Sequence, residues 1–144
     1  IISIAKGMGN GFPVGGILIH PSIKASFGLL GTTFGGNHLA CAATLSVLNV
    51  LEEENLMQNA LLISEYFQEK AKGLPHLKAI KGRGLMLGLE FDFAVSDLRK
   101  KLIYDHHIFT GSAKNLNVLR ILPPLTIQKK HIDYFFDAIN IELS

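Results

Sequence analysis

The sequence contains little charge and almost no cysteine. Charged residues make up 18% of its 144 positions, and the formal net charge is only +2. So small an imbalance gives no reason to expect nucleic acid or an anionic membrane surface as a partner. The single cysteine, Cys41, cannot form an internal disulfide. Its isolation agrees with a reducing compartment, and we expect the protein to be cytoplasmic.

The sequence also lacks any stretch that resembles a signal peptide or a membrane span. Residues 25–51 carry no Asp, Glu, Lys or Arg, but the polar run Gly-Thr-Thr-Phe-Gly-Gly-Asn-His interrupts them. The apolar part after that run is shorter than the roughly 20 residues that a helix needs to cross a bilayer. The six histidines show no metal-ligand spacing, so we predict no metal site. With 48% hydrophobic residues, the chain can instead bury a sizeable core.

One stretch near the start combines glycines with an isolated lysine. Half of residues 7–16 are glycine, and Lys6 stands directly before them. The apolar residues 1–5 are typical of the end of a buried strand, and residues 17–19 of a second strand, which puts Lys6 at the mouth of a loop. A lone Lys-Gly pair is most often a solvated surface charge. The nearly uncharged flanks favour the neutral amine instead, which is the nucleophile of a Schiff base.

Hydrophobic periodicity predicts further elements before residue 55. Asn37 stands at the position of a helix N-cap. The stretch after it is apolar nearly all round, which predicts a buried helix with Cys41 as a small core residue. The predicted elements are a helical turn over residues 23–27, a loop over residues 28–36 and the buried helix over residues 39–54.

After residue 55, helices and strands alternate, as in a small α/β layer domain. Apolar residues at steps of three and four predict a helix that Gly73 and Pro75 end. His107 stands before a predicted strand, and histidine tolerates a left-handed backbone better than most residues. The helix that ends before Gly73 has the apolar stripe Leu56, Ala60, Ile63, Phe67 and Ala71. The predicted strands are residues 78–81, 85–91, 108–110 and 117–121.

Two more helices are predicted in this part of the chain. One is capped by Ser96 or Asp97, with Leu98, Leu102 and Ile103 facing inward. The last is capped by Thr126 and buries Ile132, Phe135, Phe136, Ile139 and Leu143.

Three further motifs each allow a structural and a functional interpretation. Residues 31–38, GTTFGGNH, form a glycine loop before a helix, and the free amides of such a helix also bind anions. In residues 82–88, GRGLMLG, the glycines permit a tight turn, and Arg83 most simply holds a loop or a carboxylate in place, with contact to a substrate as the alternative. In residues 119–125, LRILPPL, Arg120 stands between apolar residues, where it is either paired in an ion bridge or reserved for an anion.

Together, SIAKGMGNGFPVGG, GTTFGGNHLACAA, GRGLMLGLEF and LRILPPL resemble the class III aminotransferases, which are fold type I enzymes that use pyridoxal 5'-phosphate. The likeness is greatest to acetylornithine and succinylornithine aminotransferases, and it covers essentially the whole chain. It implies an α/β fold, with the end of the large-domain sheet in residues 1–55 and the small C-terminal domain in residues 56–144. Because the sequence starts without methionine and in mid-strand, we expect it to be the C-terminal part of a longer subunit, less than half of its length.

The resemblance also assigns roles to individual residues. Lys6 is the lysine that binds the cofactor covalently and then serves as the catalytic base. Thr33 is the threonine that reaches the cofactor phosphate of the partner subunit, with Thr32 beside it, and this implies a homodimer. Arg120 is the arginine that meets a substrate carboxylate, or a glutamate that switches sides between substrates. His38 stands where the family usually has proline, and we expect no loss of function from it.

The implied reaction transfers the terminal amine of an N-acylated ornithine to 2-oxoglutarate, as in arginine biosynthesis. An ornithine or 4-aminobutyrate-type class III aminotransferase is an alternative, because the residues that meet the acyl group lie largely upstream in the family. The aspartate for the pyridine nitrogen, the stacking aromatic and the first phosphate loop also lie upstream, so a purely structural fragment is another alternative. A separate nucleotide-binding or phosphate-binding module is disfavoured, since neither G-x-x-x-x-G-K-[ST] nor a helix-opening G-x-G-x-x-G is present.

Overall fold

Two compact units make up the chain in a computed structural model that describes residues 1–29 and 31–144. The first unit comprises Ile1–Asn55 and the second Leu56–Ser144. Asn55 has a left-handed backbone (φ 51°), a conformation that often ends helices and that asparagine tolerates well. Leu30, which falls in the loop predicted for residues 28–36, lies outside the described residues.

The first unit contains a two-stranded ribbon and one long helix. The strands are antiparallel, with Ile2 opposite Leu18, and both strand predictions are confirmed. The helix begins at the predicted cap, because the Asn37 side chain accepts a hydrogen bond from the Ala40 N–H at 2.9 Å. The bounds are β1 Ile2–Ile4, a 3₁₀ helix Lys6–Gly9, β2 Gly16–Leu18 and α1 His38–Glu53.

The helical turn predicted for residues 23–27 is wrong. Two separate turns take its place. The Ile23 N–H donates to His20 O at 2.9 Å, and the Leu29 N–H donates to Ser26 O at 3.2 Å. Pro21 favours the first turn, since its ring presets the backbone for the second position of a turn. Five residues are also too few to offset the cost of nucleating a helix.

Helix α1 forms as predicted but is not buried in this structure. All of its residues are described, and of these only Ala40 is buried. Leu39, Leu45 and Leu48 are 67%, 59% and 54% exposed, and Cys41, predicted to be a small core residue, is exposed as well. The ribbon and the 3₁₀ helix of this unit are too small to cover a helix that is apolar nearly all round.

The second unit combines four strands and three helices. In chain order its elements are α2 Leu56–Ala71, β3 Leu77–Arg83, β4 Met86–Phe91, α3 Ser96–Tyr104, β5 Gly111–Ser112, β6 Val118–Ile121 and α4 Lys129–Leu143. The strand order is β3-β4-β6-β5, and each neighbouring pair is antiparallel. The β3–β4 hairpin turns at Gly84 and Leu85. Within β3, Gly82 has a φ of 103°, and a Cβ there would lie 1.9 Å from Met86 O. Only glycine fits this position.

Strand alternation gives the sheet of the second unit one apolar and one polar face, because successive side chains of a strand point to opposite sides. Leu89 in β4 is fully buried, while its neighbours Gly88 and Glu90 belong to the other face. Helices α2, α3 and α4 supply most of the remaining core, and Leu74, Leu85 and Val95 from the connections complete it. The largest fully buried side chains are Phe67, Phe91, Leu89, Leu102, Leu119 and Ile139.

Helix α2 and the left-handed backbone of His107 (φ 56°) confirm two predictions for this unit. The strand predicted for residues 108–110 is wrong. The Ile108 N–H donates to Leu102 O at 2.7 Å and so closes the end of α3. The chain is therefore free to pair with β6 only from Gly111 onward.

The two predicted caps of the later helices are also wrong. Neither Ser96 nor Asp97 caps α3, since both lie inside that helix. Thr126 does not cap α4, because it belongs to a separate turn that the Ile127 N–H closes on Pro124 O at 3.1 Å. The helix begins only after this turn. The predicted buried face of α4 is confirmed, with Leu143 partly buried at its end.

Replacing Phe67 by alanine should destabilise the second unit by about 3–5 kcal/mol. Phe67 is 1% exposed, and its ring centroid lies 5.7 Å from that of Phe135 and 5.0 Å from that of Phe136. The substitution removes these contacts and leaves a cavity. Urea unfolding followed by circular dichroism measures the change. Phe109→Ala is the matched control, because Phe109 is 88% exposed; equal losses for the two variants would contradict the core described here.

Candidate active site

Lys6 lies two residues after the end of β1 and opens the 3₁₀ helix, which places it in the loop that the sequence predicts. Its backbone is left-handed, with a φ of 58°. A residue other than glycine rarely adopts this conformation, which costs about 1–3 kcal/mol and is concentrated at functional sites. Ala5, immediately before it, is fully extended. The chain therefore turns sharply at Lys6 as soon as the strand ends.

The glycines after Lys6 let the loop fold back on itself. A Cβ at Gly9 would lie 2.5 Å from Val14 Cγ1, and one at Gly15 would lie 3.3 Å from the Ile4 carbonyl oxygen. Larger residues at these positions would push the loop away from β1. The close packing thus fixes the backbone that carries the lysine.

Lys6 is exposed, which corrects the expectation that it lies in apolar surroundings. The flanking side chains of Ile2 and Ile4 are 62% and 39% exposed, because a two-stranded ribbon provides no second layer within the first unit. These apolar flanks therefore lie beside water in this structure and do not enclose the amine.

Thr32 and Thr33 lie in the loop before α1, at the helix end where N–H groups lack partners inside the helix. Both side chains are exposed, and neither hydroxyl is hydrogen-bonded to a described residue. The Asn37 amide donates to Phe34 O at 2.9 Å, which ties the loop to the start of the helix. A Cβ at Gly35 would lie 2.1 Å from Thr32 Cγ2, so the turn needs glycine there. Free hydroxyls beside a helix N-terminus suit an anion such as phosphate.

Arg120 lies on β6, on the polar face of the sheet, and is exposed. In the register of the sheet it stands opposite Gly88 of β4 and Gly111 of β5. Among the described residues it has no ion-pair partner, although the sequence leaves an ion bridge open as one interpretation. The structure therefore contains no such bridge in the part of the chain that it describes.

The carboxylate diagonal to Arg120 on β4 already has partners. Glu90 stands opposite Val118. Lys81 Nζ lies 2.7 Å from Glu90 Oε2, and the Asn115 amide donates to Glu90 Oε1 at 2.8 Å. Lys81 holds the pKa of Glu90 below its ordinary value of 4.5, and Asn115 acts in the same direction. Glu90 therefore stays ionised at neutral pH, and its two oxygens are engaged.

The predicted site residues divide between the units. Lys6, Thr32 and Thr33 lie in the first unit, in which the 3₁₀ helix packs against α1. Arg120 lies in the second unit. Arg83 is exposed at the end of β3 and forms no ion pair with the described residues, so the carboxylate contact expected for it is absent there.

Sequence reasoning missed Gly111 and the set of Lys81, Glu90 and Asn115. Both depend on which residues face each other across strands, and the sequence does not state strand register. The available signal is the alternation in β4, where Gly88 and Glu90 interrupt apolar residues and so mark a second, polar face.

Two surface clefts contain none of the predicted site residues. One of about 330 Å³ is lined by residues 19–21, 23–26 and 29 of the first unit, and one of about 390 Å³ lies beside α4 in the second unit. Within the described ranges, no group of His, Cys, Asp or Glu side chains is placed to hold a metal ion. No described helix is both long and apolar enough to cross a bilayer.

The chain is similar to acetylornithine aminotransferases along nearly its whole length. It is 44% identical to that of Aquifex aeolicus over 135 residues, which cover 92% of this chain and 35% of the relative. It is 37% identical to that of Methanocaldococcus jannaschii over 146 residues, which cover 97% of this chain and 36% of the relative. The chain thus spans about a third of the length of these curated relatives.

A solved structure shares the fold. The ornithine aminotransferase from Toxoplasma gondii, crystallised with oxidised glutathione and with PLP at partial occupancy in its active site, matches with a TM-score of 0.84 and 27% identity. The match covers 98% of this chain and 35% of that one. The fold is therefore that of part of a fold type I pyridoxal-phosphate-dependent aminotransferase.

The family comparison agrees with both likenesses. The profile of the family described as "Aminotransferase class-III" matches residues 1–143. Enzymes of this family depend on pyridoxal phosphate. The resemblance that the four motifs indicate is confirmed, and the chain belongs to the class III aminotransferases.

Proposed function

We propose that this chain is part of a pyridoxal-phosphate-dependent enzyme that transfers the terminal amino group of an N-acylated ornithine to 2-oxoglutarate, in arginine biosynthesis. The observation that carries the proposal is the left-handed backbone of Lys6, two residues after the end of β1, in a chain 44% identical to an acetylornithine aminotransferase. The names of both relatives favour an acylated ornithine as the amino donor.

The side chains of the first unit fit the cofactor. Lys6 offers a primary amine for the cofactor aldehyde, and Thr32 and Thr33 offer hydroxyls for its phosphate beside the N-terminus of α1. When bound, pyridoxal phosphate supplies an electron sink for the carbon that loses a proton. Lys6 Nζ accepts the proton that leaves this substrate carbon and releases it later in the reaction.

We assign the recognition of a substrate carboxylate to Arg120 in the second unit. A guanidinium is planar and permanently charged, and it binds a carboxylate through two parallel hydrogen bonds. The exposure of Arg120 and its lack of an ion-pair partner among the described residues support this role. Both an N-acylated ornithine and 2-oxoglutarate carry a carboxylate that it can bind.

We further propose that residues 1–55 end a large cofactor-binding domain and that residues 56–144 form a small domain. The division into two compact units supports this proposal. We propose a cytoplasmic homodimer in which Thr33 reaches the cofactor phosphate of the partner. The exposed apolar side chains of α1, Leu39 and Leu45 among them, support a surface that other parts of the assembly cover.

A second candidate is an aminotransferase for free ornithine, which the likeness to the Toxoplasma gondii enzyme favours. The test is kcat/KM of the whole subunit for N-acetylornithine, N-succinylornithine, ornithine and 4-aminobutyrate, each with 2-oxoglutarate. We expect an acylated ornithine to give the highest value. The highest value for free ornithine or 4-aminobutyrate would replace the proposed donor.

In the whole subunit, Lys6→Ala should lower kcat by a factor of at least about 10²–10⁴ and leave the fold intact. The same amine binds the cofactor and moves the proton, so both roles are lost together. Steady-state kinetics and circular dichroism measure the two properties. Lys24→Ala, which removes another exposed lysine of the first unit, is the control. Near-normal turnover of Lys6→Ala would refute the assignment.

Thr33→Ala should weaken cofactor binding by about 1.5–3 kcal/mol, roughly a tenfold to hundredfold loss of affinity. The variant lacks a hydroxyl that would hydrogen-bond to a charged phosphate. Equilibrium dialysis of the whole subunit with pyridoxal phosphate measures the affinity. Thr33→Ser keeps a hydroxyl and should retain most of it. Unchanged affinity of the alanine variant would mean that Thr33 serves only the loop.

The 144-residue chain alone should bind pyridoxal phosphate weakly and catalyse no transamination. Lys6 is exposed and its apolar flanks do not enclose it, so its amine can react with an aldehyde without a specific pocket. Titration followed by absorbance, and borohydride trapping with peptide mapping, compare Lys6 with the other lysines. Tight, stoichiometric labelling at Lys6 alone would show that the chain holds a complete pocket and would contradict this expectation.

A further inference from the structure

On the polar face of the second unit's sheet, Arg120 stands between two glycines. Gly88 of β4 is its partner on one side, and Gly111 of the edge strand β5 is its partner on the other. Neither neighbour has a side chain, so the register alone would let the arginine lie over either strand. The direction matters because the carboxylate of Glu90 lies on the β4 side.

The arginine side chain lies over Gly111. A Cβ on Gly111 would be 2.7 Å from Arg120 Nε, 3.2 Å from Nη2 and 3.3 Å from Cβ. A Cβ on Gly88 would instead have Val118 Cγ1 as its nearest atom, at 3.0 Å, and no atom of Arg120 among its three nearest. The guanidinium group therefore lies across the edge strand and away from β4.

This direction leaves the guanidinium group unpaired. Glu90 is diagonal to Arg120 across the β4–β6 pair, a separation that long side chains can bridge. Its oxygens are bound by Lys81 at 2.7 Å and by Asn115 at 2.8 Å. With Glu90 occupied and Arg120 directed over β5, the arginine keeps its charge exposed and without an ion-pair partner among the described residues.

We propose that Gly111 is a positioning residue, whose missing side chain lets the Arg120 guanidinium group lie across β5 in the orientation that binds a substrate carboxylate. The inference rests on the substrate-binding role proposed for Arg120. A β-carbon at position 111 would occupy the path of Nε, so the arginine would have to leave it. Two parallel hydrogen bonds to a carboxylate depend on the orientation of the guanidinium plane, and a displaced plane loses them.

Gly111→Ala should disturb the arginine more than the strand. The φ of Gly111 lies outside the left-handed region, so alanine is not strained there. Two of the three atoms nearest to the added Cβ, Nε and Nη2, belong to the flexible end of the Arg120 side chain. The third, Arg120 Cβ at 3.3 Å, is attached to β6, so the two strands also have to separate slightly. Gly88→Ala is the matched control, because it adds the same methyl group opposite the same arginine, on the side away from the guanidinium group.

A first measurement tests the geometry without relying on activity. In the 144-residue chain with ¹⁵N-labelled arginine, the Nε–H resonance of Arg120 is assigned by its loss in Arg120→Lys. This resonance should shift in Gly111→Ala and stay within the line width in Gly88→Ala. Equal behaviour of the two glycine variants would overturn the proposed geometry.

A second measurement tests the function in the whole subunit. Gly111→Ala should raise KM for 2-oxoglutarate about tenfold, the size expected for a lost hydrogen bond to a charged group, and change kcat less than about twofold. Gly88→Ala should change neither constant by more than about twofold. Arg120→Ala should raise KM at least as much as Gly111→Ala. Gly111→Ala added to Arg120→Ala should have no further effect, because Gly111 acts only through the arginine.

The outcomes separate the inference from the function on which it rests. A wild-type subunit without transaminase activity would overturn both. A normal KM in Arg120→Ala would overturn the role of the arginine. If Arg120→Ala raises KM and Gly111→Ala does not, or if the effects of the two substitutions multiply in the double variant, the positioning role is wrong and the proposed reaction stands.

Discussion

The second unit depends on the register between β4 and β6. Leu89 opposite Leu119 belongs to the apolar face, and Gly88 opposite Arg120 belongs to the polar one. A shift of one residue would exchange the faces of β6, burying the arginine charge and exposing Leu119. The net stability of a domain is typically about 5–15 kcal/mol, and burying an unpaired charge costs a large fraction of that. One register therefore determines both the core and the exposure of Arg120.

The elements that the sequence predicts well are those whose signals are local. Helix α2 shows an apolar stripe of helical period, and Gly73 and Pro75 follow its end, so its bounds could be predicted. Strand β5 could not be predicted, since its two residues are too few for a pattern and its start depends on how α3 ends. The start of α4 was missed for a similar reason: a turn closed on Pro124 O holds Thr126, the apparent cap.

The same distinction applies to the candidate site. The place of Lys6 at the start of the loop could be predicted because strand, lysine and glycines are adjacent in the sequence, and the structure adds that its backbone is left-handed. Its role stays a prediction. The relation of Arg120 to Gly111 and Glu90 joins residues from three strands, which no single motif contains. The apolar composition of α1 indicates a surface that needs cover, but composition does not specify what supplies it.

The first unit thus fixes the backbone of Lys6 without enclosing its side chain. Two local interactions shape this unit, and neither needs a hydrophobic core. Close packing at the glycines sets the loop that carries Lys6, and the Asn37 side chain caps the start of α1. A lysine amine becomes a good nucleophile when burial or a neighbouring cation favours its neutral form. Lys6 is exposed, and Ile2 and Ile4 beside it contact water. The position of this lysine is therefore set by local interactions within the first unit, and those interactions do not enclose its side chain.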